Sequence, residues 1–72
     1  MSYYIRIDTY GWGYPCIIDE EAFCQAERGE NYLNPEDFMF LCEAGSMKEA
    51  NEYYGEVFSR MANDYIAERY HP

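Results

Sequence analysis

Positive charge is scarce in this chain: 5 Lys and Arg stand against 14 Asp and Glu in 72 residues, for a formal net charge of -9. So negative a protein repels DNA, RNA and anionic membranes, which disfavours all three as direct partners. Histidine is scarcer still, with His71 the only one. No constellation of nucleophile, base and stabiliser can be assembled around it, so catalysis is not expected. Cysteines are few and odd in number: Cys16, Cys24 and Cys42. That count does not fit the even disulfide framework of a small secreted domain and predicts free thiols in a reducing, cytoplasmic setting. A zinc site built from the three thiols and His71 would lack the close Cys pairs of structural zinc, so neither metal nor other cofactor is expected.

Uninterrupted apolar stretches are short. The stretch from Phe38 to Cys42 is far below the ~20 residues that span a bilayer. The first residues carry no basic region followed by a small-residue cleavage site, so no secretory signal is expected either. What the chain does have is apolar and aromatic bulk, 49% hydrophobic and 19% aromatic residues. That is too much for a disordered acidic tail and enough for a single small domain spanning residues 1–72.

Periodicity predicts an α+β fold: a two-stranded antiparallel β-hairpin over residues 2–18, then three helices, the last one long and amphipathic. From Tyr3 to Tyr10 side chains alternate, with Tyr3, Ile5, Ile7 and Thr9 on one face. Gly11-Trp12-Gly13 turns the chain and Tyr14 to Ile18 offers the second strand. The same stretch begins like a phosphate-binding G-x-G-x-x-G, but Cys16 stands at the third glycine and no helix follows directly, so a turn is the better reading. Asp19 caps a helix near residues 19–28, closed by Gly29. Asn34 and Pro35 open another near 35–44, apolar almost all round and predicted as the most buried element. Ser46 and Glu49 form an S-x-x-E capping box before the long helix, 46–69, whose stripe of Met47, Ala50, Tyr54, Val57, Phe58, Met61 and Tyr65 faces the core. Phe40 and Phe58 are the expected core anchors.

The other side of the long helix carries Glu49, Glu52 and Glu56, relieved only by Lys48 and Arg60, with Tyr53 on its flank. Like charges at such spacing cost a few tenths of a kcal/mol per pair, which suggests a purpose other than stability. Tyr and Trp around the hairpin, Tyr3, Tyr4, Tyr10, Trp12 and Tyr14, could stack nucleic-acid bases. With only Arg6 to follow phosphates there, packing or protein contact fits them better.

In size, charge and its acidic helix of Glu49, Glu52 and Glu56, the chain resembles the small acidic inhibitors of phages and mobile elements, of the anti-CRISPR and DNA-mimic type. The resemblance implies a monomer in a host cytoplasm that occupies the basic nucleic-acid groove of a host protein, such as a CRISPR–Cas effector subunit, with Glu49, Glu52, Glu56 and Tyr53 at the contact. The alternative is a small structural or regulatory subunit that pairs through its long helix, whose apolar positions approach heptad spacing. The cysteine count itself is testable: thiol titration of the denatured protein should find three free groups, and fewer would reveal a disulfide.

Overall fold

The computed structural model describes the backbone of residues 1–69 and the side chains through Arg60. Strand β1, Ser2–Arg6, leads through a 3-10 turn, Ile7–Thr9, and a loop into β2, Ile17–Asp19. Helix α1, Glu20–Glu27, follows directly, then a second 3-10 turn, Pro35–Asp37, strand β3, Phe38–Glu43, and helix α2, Met47–Arg69. The sheet is antiparallel with order β2-β1-β3. The α+β class stands, but among the described residues a three-stranded sheet with two helices replaces the expected hairpin with three helices. Met61 and Tyr65 of the expected stripe, and the tail 70–72, lie outside the described side chains.

The hairpin forms with Tyr3 opposite Asp19, Tyr4 opposite Ile18 and Ile5 opposite Ile17. Its first strand ends sooner than alternation predicts. The Thr9 hydroxyl donates to the Arg6 carbonyl at 2.7 Å and accepts the Cys16 N–H at 3.0 Å, folding residues 7–9 into a turn and leaving Ile7 exposed. Asp19 ends β2 and caps α1 at once, its carboxylate accepting the Ala22 N–H at 2.8 Å. Gly29, at φ +72°, closes that helix as expected. Its N–H donates to Ala26 and the next one, of Glu30, to Gln25, satisfying two carbonyls of the last turn.

The helix expected at 35–44 is the error, and its start signal explains why. Asn34 does cap: its side chain accepts the Glu36 N–H at 3.1 Å, and Pro35 follows in the first helical position. The turn closes after three residues, however, and Phe38 is already extended at φ -119°, ψ 149°. A cap is a local device, and the five apolar residues after it have no period that separates a buried strand from a buried helix. Tertiary structure decides between them. Pairing with β2 satisfies only one edge of β1, and the backbone groups on the other edge need a partner, which β3 supplies.

The β1–β3 register carries a bulge. Tyr3 lies opposite Cys42 but Tyr4 opposite Phe40, so Leu41 is an extra residue. In an unbroken register Phe40 would face Ile5 and share its buried side. The bulge moves it to the side of Tyr4, where it is 56% exposed. Phe40 is therefore not the core anchor expected. Phe58 is half-buried, its ring 6.0 Å from that of Tyr54.

Alternation along β1 sends neighbouring side chains to opposite faces, and a helix covers each face. On one, Tyr3 and Cys42 pack with Ala50 of α2, flanked by Ile17, Leu41 and Ala44. On the other, the Tyr4 ring stacks on Phe23 of α1 at 3.8 Å and 7°. Ile5, in the middle of the central strand, has no exposed surface.

Tyr54 of α2 is buried, and its hydroxyl accepts the Gly11 N–H at 2.9 Å and donates to the Trp12 carbonyl at 2.6 Å. Replacing Tyr54 with Phe leaves both backbone groups without their partner and should lower stability by about 1–3 kcal/mol. Phe40→Ala should cost under about 1.5 kcal/mol, since it removes an edge contact to Tyr4 and little burial. Urea midpoints measure both, and a Phe40 variant less stable than Tyr54→Phe would contradict this packing.

Candidate protein-interaction surface

Helix α2 is fixed on one side and open on the other. Ala50 and Tyr54 face the sheet and are buried, whereas Glu49, Glu52, Tyr53 and Glu56 are all exposed. At about 100° per residue these four fall within an arc of about 100°. The structure thus brings the expected contact residues together on one face, where Tyr53 is 44% exposed. From Glu49 to Glu56 the helix rises about 10 Å.

The carboxylates differ in what they do. The Glu49 N–H donates to the Ser46 hydroxyl at 3.2 Å, the first half of the capping box. The Glu49 carboxylate, however, accepts from Gly45 at 2.8 Å, one residue before the cap, and not from Ser46. Its charge lies at the positive end of the helix dipole and ties down the preceding turn. Glu52 and Glu56 make no ion pair with a described residue. With Gly55, Ser59 and Arg60 they line a shallow depression along the helix. They form the uncommitted part of the acidic face.

The hairpin aromatics divide. Tyr3 is buried and Tyr4 lies under Phe23, so neither offers a free ring face for base stacking. Trp12, 68% exposed, and Tyr14, almost fully exposed, stand on the loop that Tyr54 holds, with Tyr10 edge-on to Tyr54 at 6.1 Å. Sequence reasoning missed Phe40 as a surface residue. The one available signal was the shortness of the apolar run, which suits a strand better than a helix.

Cys16 and Cys24 are half-buried free thiols, and Cys42 is a buried one whose pKa is raised, by burial first and by Glu43 second. Among the described residues no three or more His, Cys, Asp or Glu side chains converge to hold a metal ion. His71 lies outside them. Nor, among the described residues, is any helix long and apolar enough to cross a membrane.

Compared with protein-family models, with curated proteins and with solved structures, the chain matches none.

The division of labour among the glutamates predicts unequal mutants. Glu49→Ala should lower stability by about 1 kcal/mol through the lost cap, and Glu49→Gln, whose carbonyl can still accept, should restore most of it. Glu52→Ala and Glu56→Ala should stay within about 0.5 kcal/mol of wild type. Chemical denaturation of the three alanine variants should separate Glu49 from the other two.

Proposed function

We propose that this protein is a binding protein and not a catalyst, one that covers a basic nucleic-acid-binding surface of another protein with the exposed face of α2. Carboxylates of Glu52 and Glu56 stand in for phosphates, Glu49 adds charge at the helix start, and Tyr53 supplies an aromatic anchor at the edge of the row. The carrying observation is the outward presentation of these side chains by a helix whose inner side packs on the sheet through Ala50 and is hydrogen-bonded to the Gly11–Trp12 loop through Tyr54. A fixed row of charge pays less ordering entropy on binding than a flexible acidic tail. The target class is that of the resemblance, a host complex acting on nucleic acid such as a CRISPR–Cas effector, with this chain acting as its inhibitor in the host cytoplasm.

The same burial weighs against pairing through the helix stripe. Ala50 and Tyr54, which would form the middle of a heptad seam, already pack inside the domain. A partner helix would have to displace them.

The test is competition. The purified protein, added to a captured nucleic-acid-binding partner, should release that partner's nucleic acid in a gel-shift assay. Glu52→Lys with Glu56→Lys should abolish release while the fold survives, and raising salt should slow association, because separated charges are screened within about 10 Å at 0.1 M. Nucleic acid still bound at saturating protein, or a double-lysine variant that competes like wild type, would sink the reading.

A further inference from the structure

We propose that the free edge of β3 takes up an extended, lysine- or arginine-bearing segment of a partner protein as a fourth strand, with Phe40 as the apolar anchor. This is a second contact surface, separate from α2.

The sheet order leaves β2 and β3 as its two edges, and they are guarded differently. Strand β2 has three residues and runs directly into α1, too short to template another chain. Strand β3 has six, Phe38–Glu43, without the Lys or Pro that commonly blunts an edge.

Register shows which of its backbone groups are open. The Arg6 N–H donates to the Cys16 carbonyl, so Arg6 bonds toward β2. In a central antiparallel strand successive residues bond to alternate sides, so Tyr4 also points toward β2. Their β3 partners, Phe38 and Phe40, therefore lie in non-bonded pairs and direct their own N–H and C=O groups away from β1. The Phe38 N–H is taken by the Pro35 carbonyl. The Phe38 carbonyl and both backbone groups of Phe40 remain for an incoming strand, beside a phenyl ring that is 56% exposed.

Charge selects the occupant. Glu36 and Asp37 precede the strand and Glu43 ends it; all three are exposed, and Glu43 also pairs with the N-terminal ammonium at 3.3 Å, so Glu36 and Asp37 carry most of the attraction. On the aromatic face next to Phe40, Tyr4 has a raised pKa, from burial first and then from the charges of Glu20, Cys24, Glu27 and Glu43. A second copy of this chain fits badly. A two-fold pairing centred on Phe40 would bring the Asp37 end of each strand to the Glu43 end of the other, between molecules that each carry -9. A basic strand gains from the same acids what a second copy would lose.

The experiment titrates the isotope-labelled full-length protein with the blocked peptide Lys-Val-Lys-Val-Lys-Val-Lys, and with its Glu-Val counterpart, reading amide shifts and hydrogen exchange. The basic peptide should shift β3 resonances and slow exchange of the Phe40 amide about tenfold near saturation, and the acidic one should do neither. Phe40→Lys should weaken binding at least about tenfold, and Phe40→Ala should also weaken it, consistent with loss of a buried phenyl. The Glu52→Lys, Glu56→Lys protein should still protect the edge, so failure of this surface and failure of the α2 reading are distinguishable. Millimolar basic peptide that leaves Phe40 exchange unchanged, or equal protection by the acidic peptide, overturns the proposal. Protection that grows with protein concentration alone assigns the edge to self-pairing and overturns it too.

Discussion

The Tyr54 hydroxyl is the point on which the two halves of the molecule meet. It accepts from Gly11 and donates to Trp12, more than forty residues away in sequence, and Phe58 and Tyr10 pack on its ring. The loop from Tyr10 to Tyr14 is exposed along its length. Bonds to a buried side chain give it a defined place, each worth about 1 kcal/mol net. The same bonds orient α2. A helix held by a phenol with two specified partners cannot rotate about its axis, so its acidic side points outward by construction.

The rest of the core is thin and depends on β1. Seven side chains count as buried apolar residues among those described: Tyr3, Ile5, Ala26, Phe38, Cys42, Ala50 and Tyr54. Two of them, Tyr3 and Ile5, share one face of the five-residue strand β1, and the others lie on the helices and the strand around it. So small a set leaves little reserve against lost polar contacts. Among the described residues, no buried side-chain nitrogen or oxygen lacks a hydrogen-bond partner.

The elements legible in the sequence are those announced by local chemistry. Asp19, Asn34 and Ser46 all cap where expected and Gly29 closes α1. Ala50 and Tyr54 of the expected stripe face inward, whereas Met47, its first residue, is exposed at the open end of the helix. The exposure of Glu49, Glu52, Tyr53 and Glu56 follows from the same periodicity. What failed was non-local. Nothing in the residues from Phe38 to Cys42 announces that β1 has an unfilled edge, and nothing announces the bulge at Leu41. An apolar neighbourhood in sequence predicts a buried Phe40, but burial belongs to register, which pairing partners set. Glu49 was legible as a cap, yet its reach to Gly45 shows that a charge counted toward a surface can be committed to structure at the same time.

The bulge has an evolutionary consequence. By turning Phe40 out of the interior while keeping Leu41 and Cys42 against Tyr3, it uncouples a surface position from the packing of the strand that carries it. Substitutions at position 40 can then be sampled against a changing environment without a matching repair inside, whereas changes at Cys42 or Ile5 cannot. A lineage that carries this chain can retune the contact residue at position 40 without repacking the interior, and the single extra residue is the hinge of that freedom.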